Sequence, residues 1–293
     1  MPGDDTARVI IAVFGPTGVG KTAVAIALAE RLRERGEDPV AVSADALQVY
    51  EGLPILTGAA DAREQAQLEH RLLEFVPLDQ TFSAGAYAER AHAEIDALLA
   101  EGRRPIVVGG TGLYLRAALA DLDLRPPVAP EIRERWGNDP RPLHELHALL
   151  PPGTGIVPTD RQRILRALEL IDAGHAPPAG DQLWTAHMRH PTLLAALVME
   201  REALIRRIDE RIDRMLAAGV LDEVRNARHA SPTARRALGF EELLDGDVEA
   251  MRIRTRRYAK RQVTWLRKLP HAHLVDTTGR TPEDVAAELI AMI

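Results

Sequence analysis

The octapeptide Gly15-Pro16-Thr17-Gly18-Val19-Gly20-Lys21-Thr22 constrains the fold more than any other part of the chain. It stands between an apolar, β-branched run, Arg8 to Phe14, and a stretch from Thr22 to Arg35 whose apolar positions recur at helical spacing until Gly36 stops them. Strand, glycine-rich loop and helix is the order in which a phosphate chain is held. Glycines let backbone N–H groups converge on phosphate oxygens, and the helix N-terminus adds positive potential. Lys21 supplies a mobile charge, and the Thr22 hydroxyl is placed to ligate magnesium. Gly15 to Thr22 are therefore read as a diphosphate cradle.

The rest of the chain extends that unit. Val40 to Ser43 reads as a second strand ending in Ala44-Asp45, Ser83 to Glu101 as a helix stopped by Gly102, and Pro105 to Val108 as a third strand running into Gly109-Gly110-Thr111-Gly112. Strands alternating with helices predict an α/β fold, a parallel sheet with helices on both faces built around the phosphate loop. The composition then changes. Asp121 to Pro130, Pro140 to Pro158 and Gly174 to Asp181 are rich in proline or glycine, and Asp160 to Ala173 between them is helical. A small, mostly helical insertion at 121–190 is expected to interrupt a core domain of 1–120 and 191–293. Within that core, Leu193 to Met199 returns to the sheet, and Glu202 to Ala227 and Asp247 to Leu269 read as long amphipathic helices. His273 to Asp276 is a last short strand, and Thr281-Pro282-Glu283 opens a closing helix.

With 293 residues and 46% hydrophobic content, the chain can bury a large core, which rules out a disordered protein. The absence of cysteine excludes a disulfide framework, a thiolate zinc site and an iron–sulfur cluster. Met1-Pro-Gly-Asp-Asp-Thr carries no cationic segment ahead of an apolar stretch, and the apolar runs are too short to span a bilayer, so a cytoplasmic protein with no membrane partner is expected. The net charge of −6 requires any polyanion to be held by local basic surface. Met251 to Leu269 is the main candidate: Arg252, Arg254, Arg256, Arg257, Lys260, Arg261, Arg267 and Lys268 occur there with no acidic residue, and Arg252, Arg256 and Lys260 recur every fourth position; the alternative is that these charges pair with carboxylates elsewhere on the chain.

A phosphate loop alone leaves kinase, hydrolase and transferase open. Asp45 follows the second strand at the edge where ligands of such sheets bind, and there it can hold magnesium, take a proton from a nucleophile, or cap a helix. Thr111, after the third strand, is placed at the same edge. Arg161, Arg163 and Arg166 share a helix of the insertion, where isolated charge runs are more often a solvated face.

Five motifs in one order then carry a resemblance. GPTGVGKT (15–22), DALQVY (45–50), GGTGLY (109–114), DRQRILRALE (160–169) and RRYAKRQVTWLR (256–267) together resemble the tRNA dimethylallyltransferase family, also called tRNA isopentenyltransferase, across nearly the whole chain. The resemblance implies transfer of a dimethylallyl group from dimethylallyl diphosphate to the exocyclic amine of the adenosine following the anticodon, with Mg2+ as cofactor and the tRNA anticodon stem-loop as partner of a monomeric enzyme. On that basis Asp45 would be the general base, assisted in catalysis by Lys21 and Thr111. Gly15 to Thr22 would hold the diphosphate, with Thr22 toward the metal and Arg211 adding charge. Ala46, Leu47 and Gln48 would help seat the adenine, and Asp45 and Thr111 would also contact tRNA. Arg133, Gln162, Arg163, Ile164, Leu165 and Arg166 would contact tRNA. The chain departs from the family at Ala46, where serine is common, and at Thr57-Gly-Ala-Ala-Asp61, where Gly-Thr-Ala-Lys-Pro is common. Two rival functions on the same loop are an ATP-dependent small-molecule or nucleotide kinase and a non-catalytic RNA-binding switch.

Overall fold

The computed structural model describes residues 9–177 and 185–293. Arg8 and the latter part of the Gly174–Asp181 stretch lie outside the described residues. In chain order the elements begin with β1 (Ile10–Phe14), α1 (Lys21–Glu34), β2 (Pro39–Ser43), α2 (Pro54–Thr57), α3 (Ala62–Gln67) and β3 (His70–Arg71). There follow α4 (Ala84–Ala100), β4 (Arg104–Gly109), α5 (Gly112–Leu119), α6 (Pro130–Gly137), α7 (Leu143–Ala148) and α8 (Arg161–Asp172). The chain closes with β5 (Thr192–Val198), α9 (Arg201–Ala217), α10 (Val220–Asn226), α11 (Phe240–Leu244), α12 (Val248–Leu266), β6 (His273–Asp276) and α13 (Pro282–Ile290).

The strands form one six-stranded parallel sheet in the order β3-β2-β4-β1-β5-β6. β1 is central, with Phe14 level with Gly109 of β4 and Ala196 of β5. Its five residues are all buried, as a strand covered on both faces must be, which is why it reads as an unbroken apolar run. The crossover from β1 to β2 runs one way along the sheet, and that from β3 to β4 runs back. Because such crossovers are right-handed, α1, which packs with α13, and α4, which packs with α5, cover opposite faces. The loops that leave β1, β2 and β4 at their carboxyl ends therefore meet at one edge of the sheet.

Two details differ from the sequence reading. A two-residue strand, β3, joins the sheet edge beside β2, too short to leave a pattern in the sequence. The helix expected over Glu202 to Ala227 is divided at Ala218 and Gly219 into α9 and α10, because glycine stops a helix.

Two compact units divide the chain: Leu122–Thr185 forms one, and the segments before and after it form the other. In the smaller unit, α6, α7 and α8 gather around Leu146, Leu150, Ile164, Ala167 and Leu168, with Trp136, Leu143, Ile156 and Leu165 packed against them.

Candidate active site

β1 ends at Phe14, and the six residues that follow, Gly15 to Gly20, turn the chain into α1, whose first residue is Lys21. The first turn of a helix leaves amides without an intrahelical acceptor, and here it opens on a cleft of the larger unit. Thr17, Lys21, Thr22, Asp45, Gln48, Gly110, Arg211, Tyr258 and Gln262 form its polar side; Leu56, Ile208, Ile212, Met215, Leu238 and Met251 form its apolar side. Lys21 Nζ donates to the carbonyls of Gly15 and Pro16, 3.1 Å each. Burial brings its pKa down to about 8, Arg211 acts in the same direction, and the Asp45 carboxylate opposes them. A bound anion would replace the water that this ammonium lacks.

Asp45 stands two residues past the end of β2. Its Oδ1 accepts from the Leu47 amide at 3.0 Å, an Asx turn that fixes the carboxylate at the sheet edge. Thr111, which precedes α5, accepts from the Ala46 amide at 3.4 Å, so the loops after β2 and β4 are joined there. The Tyr258 phenol of α12 lies close enough to Thr111 for that side chain to hold its pKa down against burial. Burial pushes the Tyr258 phenol up to about 12 and raises those of Tyr87 and Tyr114, and the Asp45 charge raises all three further. These phenols stay neutral at physiological pH, leaving the carboxylate among hydrogen-bonding groups that do not compete with it for charge.

Gln48 accepts from the Ser43 hydroxyl at 3.1 Å and donates to the Gly58 carbonyl at 3.0 Å. Arg211 of α9 donates to the neighbouring Thr57 carbonyl at 3.1 Å. The segment after α2 thus ties together a side chain from the β2 loop and a guanidinium from α9. Glu223 of α10 holds α2 itself, accepting from the amides of Ile55 and Leu56, both at 2.8 Å. Burial of Glu223 raises its pKa while those amides resist the change. Gln262 spans two loops: its Oε1 accepts from the Thr17 amide at 2.9 Å, and its Nε2 donates to the Gly110 carbonyl at 2.6 Å.

This arrangement offers an anion cradle, two cations and a carboxylate in one cleft. The family model described as "IPP transferase" matches residues 48–269. A tRNA dimethylallyltransferase of Thermobifida fusca is 38% identical over 90% of this chain and 88% of its own length. The corresponding figures for that of Kineococcus radiotolerans are 36%, 97% and 96%. The chain belongs to the IPP transferase family. Among solved structures, a full-length tRNA isopentenylpyrophosphate transferase from Bacillus halodurans superposes with a TM-score of 0.70 at 28% identity, covering 97% of this chain and 95% of that one.

In this member of the IPP transferase family, the cleft brings together Thr17, Lys21, Thr22, Asp45, Leu47, Gln48 and Arg211 from the residues expected to act, with Thr111 attached through Ala46. Arg133, Gln162 and Arg163 are exposed on helices of the smaller unit, Arg163 paired with Asp160. One expectation for that unit needs correction. The Ile164 side chain is fully buried in its core, so it supports α8 from beneath and presents no side chain to a ligand; Leu165 packs beside it. Arg166 donates to the carbonyls of Arg125 at 3.2 Å and Pro126 at 2.6 Å, which makes it a tie within the unit.

The cationic stripe on α12 is also divided. Arg256 grips Asp209 with both nitrogens at 2.8 to 3.1 Å, Arg252 pairs with Asp209 and Asp213, and Arg254 pairs with Glu242. Arg257, Lys260 and Arg261 lie exposed on the helix. The sequence reading did not single out Tyr258, Gln262 or Glu223. The first two stand in the 256–267 motif, where the surrounding cations draw attention away from two uncharged side chains.

Proposed function

We propose that this protein transfers the dimethylallyl group of dimethylallyl diphosphate to the exocyclic N6 amine of the adenosine 3′ to the anticodon, in tRNAs that read codons starting with U. The observation that carries the proposal is that Thr17, Lys21 and Thr22 of the phosphate loop, Arg211 and the Asp45 carboxylate line one cleft together with apolar side chains. The names of its relatives agree with this reading.

In the reaction, the allylic carbon–oxygen bond breaks with its electron pair passing to the diphosphate, while the N6 lone pair forms the new carbon–nitrogen bond. The loop amides, Lys21 and Arg211 take up the charge that grows on the leaving group. Asp45 receives the N6 proton, which an amine of low basicity must lose as the bond forms. Among the described residues no group of three or more His, Cys, Asp or Glu side chains is gathered to hold a metal. That suits magnesium, which needs few protein ligands when a substrate diphosphate supplies oxygens; the Thr22 hydroxyl would hold it. Such an ion, when bound, neutralises charge on the departing diphosphate.

The adenine must leave its stack to reach this cleft, and Ala46 to Gln48 with Thr111 would receive it. Arg133, Gln162 and Arg163 would meet the anticodon arm. The protein is taken to act as a cytoplasmic monomer; among the described residues no helix is long and apolar enough to cross a membrane. Rapid-quench single turnovers with labelled dimethylallyl diphosphate and anticodon stem-loop RNA test the roles. Asp45→Asn should slow the chemical step by about a hundredfold or more and leave donor affinity unchanged. Loss of donor or magnesium binding with an unaltered chemical step would make Asp45 a metal ligand and overturn its assignment as the base.

A further inference from the structure

Gln262 is only 5% exposed and reaches Thr17, 245 positions away in sequence, and Gly110, 152 positions away. Its two bonds define its orientation: the Thr17 amide can only donate and the Gly110 carbonyl can only accept, so Oε1 faces the phosphate loop and Nε2 faces the loop after β4. Thr17 belongs to the donor side of the cleft, and Gly110 immediately precedes Thr111 on the acceptor side. The same face of α12 presents Tyr258, one turn earlier, to Thr111 itself.

The spacing between the two loops is therefore held by one neutral amide. No other side chain of similar length satisfies both contacts: glutamate lacks the donor for Gly110, lysine lacks the acceptor for Thr17, and methionine lacks both. Gly110 shows how close the fit is, because a Cβ there would lie 2.7 Å from Gln262 Nε2. Within the loop the Thr17 amide is engaged by Gln262 and the Val19 amide by the Pro16 carbonyl at 3.3 Å.

We propose that Gln262 is a positioning residue for the transfer reaction, a staple that fixes the donor diphosphate relative to Thr111 and Asp45. The inference rests on the reading of the phosphate loop as the donor site. A misplacement of about 1 Å between reacting groups can cost on the order of a hundredfold in rate, so a staple between the donor and acceptor loops acts on turnover as well as on binding.

The experiment is a double-mutant cycle on the full-length protein with Gln262→Met and Gly110→Ala; the added Cβ of the second meets the same amide at 2.7 Å from the opposite side without altering α12, and stands 3.3 Å from Lys21 Nζ, so Lys21→Arg and its combination with Gly110→Ala are measured beside the cycle to separate that contact. Inorganic pyrophosphate affinity is measured by calorimetry, and transfer by steady-state kinetics with both substrates varied. Each single variant should weaken pyrophosphate binding about tenfold and lower kcat, with KM for the stem-loop RNA within about twofold of wild type, and the double variant should be little worse than either single one. Additive effects, or a fall in melting temperature with unchanged pyrophosphate affinity and kcat, would reduce Gln262 to a packing role and overturn the proposal. Wild-type protein that binds no pyrophosphate would instead overturn the donor-site reading.

Discussion

Gly58 has a φ of 61° and lies against the Arg211 guanidinium, so that a Cβ built on it would come within 1.9 Å of Nη2. Gly52, six residues earlier, has a φ of 76°, and a Cβ there meets nothing within 4 Å. Alanine variants at the two positions therefore share one cost and differ in another. Holding an L-residue in the left-handed region costs about 1 to 2 kcal/mol, and each kcal/mol lowers the melting temperature of a protein near this size by about 2 to 4 °C. Both variants should show that loss. Only Gly58→Ala also displaces Arg211, whose flexible end can swing off the Thr57 carbonyl and relieve the clash at little further expense in stability. The consequence falls on the ligand. A hydrogen bond to a charged group contributes about 1.5 to 3 kcal/mol, which corresponds to roughly 10- to 150-fold in affinity. Pyrophosphate titrations by calorimetry, with thermal melts of the same samples, should find Gly52→Ala within about twofold of wild type in affinity and Gly58→Ala weakened by that larger factor. Equal affinities for the two variants would refute the placing of Arg211 at the donor.

The depressed Lys21 pKa of about 8 gives a pH dependence. An anion needs the ammonium form, so kcat/KM for the donor should fall as pH rises above about 8, and Lys21→Arg should carry the fall beyond about pH 10; a flat wild-type profile would contradict the assignment. Since the folded state releases this proton more readily than the unfolded state, Lys21 should make stability rise with pH between about 8 and the ordinary value of 10.5, a trend that urea titrations can measure. On α12, neutralising Arg257 and Lys260 together should flatten the slope of log RNA affinity against log salt by about 0.7 to 0.9 for each phosphate that is no longer neutralised. Arg256→Ala should leave that slope unchanged, because Asp209 already occupies its guanidinium.

The cradle was legible because its requirements are local: Gly15 to Thr22 are consecutive, and the strand and helix that aim them adjoin them in sequence. Asp45 and Thr111 were legible for the same reason, each standing just past an apolar strand. What the sequence hid depends on contacts across the chain. Gln262 looks like a spacer among cations until α12 sets it against Thr17, and Glu223 looks like a surface acid until α10 brings it to two amides of α2. Of the face formed by Arg252, Arg256 and Lys260, the first two have acidic partners on α9, and Arg254 beside them has one on α11, so a segment without acids in sequence is not a surface without acids in space. The partners of Arg166 are likewise hidden, since they are backbone carbonyls, which no composition reveals. Asp61 is a further case. Where a lysine-containing segment was expected, the chain instead opens α3 with a capping box between Asp61 and Glu64, and the cation at this place comes from Arg211.

The central claim is that one cleft moves an allylic group onto an adenine amine. Purified protein should be incubated with magnesium, anticodon stem-loop RNA and either labelled dimethylallyl diphosphate or γ-labelled ATP, and the RNA then digested to nucleosides for mass spectrometry. The account predicts that label from the allylic diphosphate appears on N6 of the adenosine 3′ to the anticodon, with release of diphosphate. Transfer of the ATP label to any acceptor, with the adenosine left unmodified, would contradict it and identify a phosphotransferase.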